Sequence, residues 1–141
     1  MKRILILILA LTLALASAFS LVSCKSDSSE SDYKSSVYYE DTALGEGAKT
    51  VTVKIEDTEK AVTFTIRTDK STVGEALLEH GLIDGEEGAY GMYIKSANGT
   101  VADYDKDQSY WAFYVGDDYS MTGVDTTPIE EGVTYRLVYT K

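Results

Sequence analysis

An α+β domain, in which a small mixed β-sheet wraps on one short helix, is predicted by three observations on the C-terminal two thirds of the 141-residue chain. Apolar residues alternate on both sides of a polar turn between Val51 and Ile66, a capping pair opens a single helical stretch at Thr72, and further alternating runs follow as far as Tyr139. A hairpin, then a helix, then more strands is an order in which the helix must cover one face of a sheet.

Each element has a local reason. Val51, Val53 and Ile55 alternate with Thr52, Lys54 and Glu56; after Asp57-Thr58-Glu59-Lys60, Val62, Phe64 and Ile66 alternate with Thr63, Thr65 and Arg67. Period two on both sides of a short polar turn is a β-hairpin. Thr72 and Glu75 form a capping-box pair, Val73, Ala76, Leu77 and His80 share one helical face, and Gly81 supplies the stop. Leu82 to Gly88 reads as a loop. Tyr90 to Ser96 reads as a strand entering Asn98-Gly99, a dipeptide that favours a tight hairpin turn, with Thr100 to Ala102 returning from it. From Tyr110 to Val115 the chain alternates again, with Trp111, Phe113 and Val115 on one face and Tyr110, Ala112 and Tyr114 on the other. Glu131-Gly132 turns into Val133, Tyr135, Leu137 and Tyr139. The whole pattern is β-grasp-like, and the 93 residues from Lys49 to Lys141 are enough for one small core.

Composition excludes several function classes. One Cys and one His remove most structural metal sites, an internal disulfide and the usual cysteine or serine-histidine catalysis. The 23 acidic residues against 13 basic ones would repel a phosphate backbone, so no nucleic-acid partner is expected. His80 reads as a packed or capping residue of the helix end, and so many carboxylates lie in the domain that a close pair carries no catalytic signal. No enzyme is expected.

The N-terminus reads as an address and an anchor. Lys2 and Arg3 precede an apolar run from Ile4 to Phe19, followed by Leu21-Val22-Ser23-Cys24. The run is shorter than a membrane span needs, and no basic stop-transfer cluster follows it. The ending resembles the bacterial lipobox, which implies a signal peptide over residues 1–23 and a Cys24 that is lipidated and becomes the first residue of the mature protein. The expected location is the extracytoplasmic face of the cell membrane, with the lipid as the membrane contact. Loss of Lys2 and Arg3 with the signal leaves a mature formal charge of −12. Residues 24–48 then read as the lipidated Cys and a flexible tether, because Ser, Asp, Glu and Lys dominate and bury too little apolar area to offset ordering.

From Tyr90 onward the chain resembles a known family. Gly91-Met92-Tyr93-Ile94-Lys95-Ser96-Ala97-Asn98-Gly99, then Tyr110-Trp111-Ala112-Phe113, then Gly123-Val124, Pro128 and Glu131-Gly132, are similar to the small C-terminal β-domain of transcobalamin and intrinsic factor, a domain of unassigned function in bacterial lipoproteins. The resemblance covers Val51 to Tyr139 in pattern. It implies a ligand-binding module for cobalamin or another corrinoid. In that family a separate helical barrel holds the other face of the ligand, so a helical corrinoid-binding protein or a transporter is the implied partner here.

The ligand candidates are Tyr93, Tyr110, Trp111, Tyr119 and Met121, with Phe113 beside them. Aromatic rings offer flat apolar area at low rotamer cost, and tyrosine hydroxyls add rim hydrogen bonds. Trp111 and Phe113 share one strand face and read first as core. Tyr119 and Met121 sit in a Gly-containing loop where the resemblance implies ligand-side residues, so they rank above the strand core. The alternative to a ligand module is a protein-interaction or cell-envelope structural module that buries its aromatics and takes no small molecule. Asp103, Asp105 and Asp107 resemble the start of a calcium loop, but Gln108 and Tyr114 stand where that loop needs Gly and Glu, so a solvated turn is expected and no metal. Asn98-Gly99-Thr100 matches a glycosylation sequon, and the turn reading takes precedence.

Overall fold

The hairpin at the centre of the fold forms where the alternation placed it. In the computed structural model, which describes residues 32–141, β2 (Lys49–Glu56) pairs antiparallel with β3 (Ala61–Thr68), with Val51 opposite Ile66, Val53 opposite Phe64 and Ile55 opposite Val62. All six are at most 1% exposed. Each such burial contributes about 2 kcal/mol before entropy is counted. The signal segment and Cys24 lie outside the described residues.

Asp57 closes the hairpin turn by accepting the N–H groups of Glu59 and Lys60, each at 2.8 Å. Its second oxygen accepts the Thr100 hydroxyl at 2.9 Å, which ties the turn to a distant strand. Burial alone would raise this carboxyl, but those hydrogen bonds and the Lys60 charge outweigh it and hold Asp57 below the usual carboxylate range.

The C-terminal β9 (Thr134–Thr140) lies parallel to β2, and β7 (Tyr110–Val115) lies antiparallel to β9. With β1 (Thr42–Leu44) at one edge and β8 (Asp118–Tyr119) at the other, the six-stranded mixed sheet runs β1-β3-β2-β9-β7-β8. The helix α1 (Val73–Glu79) has both halves of its capping box: the Thr72 hydroxyl accepts the Glu75 N–H, and the Glu75 carboxylate accepts the Thr72 N–H. Its Val73, Ala76 and Leu77 are fully buried in the core formed with the sheet. A parallel final strand beside the first hairpin strand, with a helix packed on the sheet, is the expected β-grasp-like arrangement. Among the described residues no helix is long and apolar enough to cross a membrane.

Four parts of the sequence reading need correction. The stretch read as a loop contains β4 (Ile83–Gly88), which pairs with β5 (Gly91–Ala97). Its sequence, Ile-Asp-Gly-Glu-Glu-Gly, carries one strong strand former, so backbone pairing and the burial of Ile83 decide its conformation. Gly85 is required there, since a Cβ would sit 2.2 Å from the Tyr93 carbonyl oxygen. Together with β6 (Thr100–Val101) these strands make a second, three-stranded sheet where one sheet was expected. Asn98 and Gly99 turn β5 into β6 with φ of +44° and +81°.

The Asp103-Asp105-Asp107 segment is a one-turn helix, α2 (Tyr104–Asp107), and not a simple solvated turn. Asp103 caps it by accepting the N–H groups of Asp105 and Lys106, which occupies the carboxylate that a calcium loop would need. Asp107 pairs with Lys141 at 2.8 Å; that contact and the Ser109 hydroxyl hold its carboxyl down at about 2.

The stretch read as a tether is docked over its described part. Ser36 donates its N–H to the Gly81 carbonyl at 2.8 Å, the Tyr38 ring meets Phe64 edge-on at 5.4 Å, and Thr42–Leu44 pair parallel with Phe64–Ile66. Composition counts apolar side chains, whereas this strap is held by backbone and side-chain hydrogen bonds and one aromatic ring. Its central tie is Asn98, 1% exposed, which accepts the Tyr38 N–H at 2.7 Å and donates its amide to the Tyr38 carbonyl at 3.0 Å. Asn98→Ala removes both bonds and leaves at a φ of +44° a residue that tolerates the left-handed region less well than Asn, so it should cost about 2–4 kcal/mol in urea unfolding. Asn98→Gly, which removes the bonds without the strain, should cost about 1 kcal/mol less. Wild-type stability in both variants would contradict this role for the strap.

Candidate functional site

Two backbone segments that are distant in sequence run side by side at one end of the molecule. The tip of the β4–β5 hairpin meets the loop after β8, and the Gly123 N–H donates to the Tyr90 carbonyl at 3.1 Å. The Met92 N–H donates to the Asp125 carboxylate at 2.7 Å, which fixes the start of β5 to the 3-10 turn Val124–Thr126. At this crossing, side chains are excluded. A Cβ on Gly91, whose φ is +116°, would lie 2.7 Å from Asp125 Oδ1 and 3.0 Å from the Gly123 Cα.

Between these segments and β7 opens a groove of about 470 Å³, within the range of small-molecule sites. Tyr93 from β5, Tyr110 and Trp111 from β7, Tyr119 from β8 and Met121 from the following loop all line it. The structure therefore brings the five sequence candidates into one place.

They differ in how they are held. Trp111 is 6% exposed; its indole N–H donates to the Thr100 carbonyl at 3.2 Å and its ring meets Tyr139 edge-on. Phe113, also in the groove lining, is stacked on Tyr135 with 15° between the rings. Both belong to the core and also contribute to the wall, so the two readings of these residues coexist. Tyr119 and Met121 are the exposed members, Met121 at 81%. Tyr119 leans edge-on against Tyr114, over whose ring the Arg136 guanidinium sits at 5.3 Å.

Sequence reasoning missed Tyr90, Met92, Glu86 and Glu87, which also line the groove. Reading Leu82 to Gly88 as a loop hid the hairpin that carries them. The usable signal was Gly88 and Gly91 bracketing a two-residue tip.

Among the described residues that line the groove, Glu86 and Glu87 are the only charged ones. Glu86 accepts the Tyr33 hydroxyl at 2.8 Å and lies 3.5 Å from Lys95 Nζ. The Tyr33 hydrogen bond, with help from the Lys95 charge, holds the Glu86 carboxyl below its usual value, so it is ionised at neutral pH. Lys95 Nζ stands 4.6 Å above the Tyr93 ring centre, a cation–π contact. Burial pushes the Tyr93 phenol up, which keeps it neutral and able to donate. Rings for a flat apolar body, with hydroxyls and carboxylates around them, make a recognition surface. Among the described residues no three His, Cys, Asp or Glu side chains are grouped to hold a metal.

The fold and this groove can be set beside known proteins. Residues 70–141 match the family "Domain of unknown function (DUF4430)", and the chain belongs to that family. A solved structure from Ruminococcus gnavus, described as a "putative metal binding protein", is 30% identical with a TM-score of 0.62, covering 67% of this chain and 98% of its own. Haptocorrin in complex with Cbi shares the fold at 15% identity and a TM-score of 0.54, over 70% of this chain and 27% of the haptocorrin chain. No curated protein matches the sequence.

The carboxylate clamp gives a direct test of the wall. Asp125→Ala should speed amide exchange at Met92 by about tenfold, which corresponds to about 1.4 kcal/mol for a hydrogen bond to a charged group. Exchange at Val53 and Tyr135 in the central strands should not change. Unaltered exchange at Met92 would show that the clamp does not hold the groove.

Proposed function

We propose that this chain is a lipid-anchored, extracytoplasmic and non-catalytic binding module whose groove takes a flat, mainly apolar ligand, a corrinoid in the most specific form of the reading. The observation that carries it is the convergence of Tyr93, Tyr110, Trp111, Tyr119 and Met121 on one groove of ligand size. Core packing fixes the deep rings in advance, so binding orders few side chains beyond Tyr119 and Met121. Haptocorrin, whose solved complex holds Cbi, supports the corrinoid form through its fold. This chain spans 27% of that protein. A second protein, helical or part of a transporter, would then complete the site, and Cys24 would tether the module at the membrane through its lipid.

A second reading has its own observation. Tyr90, Tyr119 and Met121 are large and exposed at the groove rim, and such residues also anchor protein interfaces. In that reading the groove takes a protein segment, and the module is an interaction or envelope-structural unit.

Titration of the full chain in nonionic detergent with cobinamide and with cobalamin separates the two. The single Trp111 reports binding by fluorescence, and calorimetry checks it. The corrinoid reading expects saturable binding tighter than about 10 μM, near −7 kcal/mol. It also expects Tyr119→Ala or Met121→Ala to weaken binding about fivefold, about 1 kcal/mol. No heat and no saturable change would favour the interaction reading.

A further inference from the structure

Resting on the groove as a small-molecule site, we infer a charge preference within it: the ligand carries a positive charge, seated at the Glu87 end against the tyrosine rings. Among the described residues that line the groove none is cationic, and only Glu86 and Glu87, on β4 at the hairpin end, are charged. Glu87 stands opposite Met92 and Glu86 opposite Tyr93, so the two carboxylates point to opposite faces of the hairpin.

The local balance leaves one carboxylate unspent. Glu86 is engaged by the Tyr33 hydroxyl and by Lys95, the only ammonium paired with it among the described residues. Glu87 is exposed, and its side chain has no ion-pair or hydrogen-bond partner among the described residues. Glu86, Glu87 and Lys95 sum to one net negative charge, and Asp125 at the Met92 N–H and Asp103 and Asp105 near Tyr93 add to it, in a chain whose formal charge is −10. An anion brought here would meet uncompensated repulsion. A cation would meet Glu87 and the faces of tyrosine rings, the environment in which cations are held over aromatics.

The β4–β5 hairpin already shows this chemistry in use. Lys95 Nζ rests 4.6 Å above the Tyr93 ring and 3.5 Å from Glu86. Tyr90 is 83% exposed on the same hairpin and Tyr119 is 54% exposed across the groove, so further ring surface is accessible to a ligand. A flat cation lying on the Trp111 and Phe113 edges with its charge toward Glu87 satisfies both the apolar wall and the acidic end.

Three planar probes on one tricyclic frame test the inference: 9-aminoacridine, a cation at neutral pH, acridine, which is neutral, and acridine carboxylate, an anion. Each is titrated calorimetrically into the full chain in nonionic detergent, at low and at high salt. The expected order is cation over neutral over anion, with about tenfold between the first and last at low salt, narrowing as salt rises. Glu87→Gln should reduce that ratio about threefold and Glu87→Lys should invert it. Met121→Ala should weaken all three alike. Equal binding of the three probes, or a ratio unmoved by Glu87→Lys, overturns the charge preference and leaves the groove reading standing. Corrinoid binding with no affinity for any probe also overturns it. No binding of any probe or of a corrinoid removes the groove reading itself, and the charge preference with it.

Discussion

The small three-stranded sheet cannot hold itself in place by apolar burial. Of the described residues in β4, β5 and β6, only Ile83, Ile94 and Ala97 are buried in the core, with Met92 packed against it, which is too little for an independent sheet. It is fixed instead by polar ties to its neighbours: Asn98 to the strap at Tyr38, Asp125 to the Met92 N–H, and Thr100 to Asp57. Each tie uses a side chain to satisfy a backbone or hydroxyl group that would otherwise lose its partner on burial. The groove follows from this constraint. A sheet tethered at its edges, and not packed face to face, leaves a gap beside β7, and the gap is lined by what the larger sheet presents there.

That larger sheet gives the groove its rigidity. Trp111 and Phe113 are positioned by Tyr139 and Tyr135 on the neighbouring strand β9, so the deep wall is as well ordered as the core. The rim is different. Tyr90, Tyr119 and Met121 project into solvent, and methionine in such positions adapts to the shape of what it touches. A fixed aromatic floor with an adaptable edge suits a flat ligand whose periphery varies, and it suits a protein segment less well unless that segment brings its own flat anchor.

Much of the architecture was legible from local patterns. Val51 to Ile66, the Thr72–Glu75 capping pair, the Asn98-Gly99 turn and the Tyr110 to Val115 strand all carry their reasons in adjacent residues. The strand β4 and the strap did not, because their conformations rest on long-range backbone partners: Gly85 on the Tyr93 carbonyl, Ser36 on the Gly81 carbonyl, Tyr38 on Asn98. The candidate site shows the same division. Its aromatic members were legible as rings in alternating strands or a glycine-containing loop. Its acidic end was not, since Glu86 and Glu87 look like any exposed charges until the hairpin places Glu86 beside Tyr93 and Glu87 beside Met92.

The central claim is that the gap between the tethered sheet and β7 is where the ligand lies. Methyl NMR of Met92 and Met121, both lining that gap, reports on it directly, because a conjugated ring system placed over a methyl group shifts its resonance. During a cobinamide titration of the full chain, the account predicts that both signals move along one saturating curve. Saturable binding that leaves both methyl groups unmoved would put the ligand elsewhere on the molecule and contradict the account.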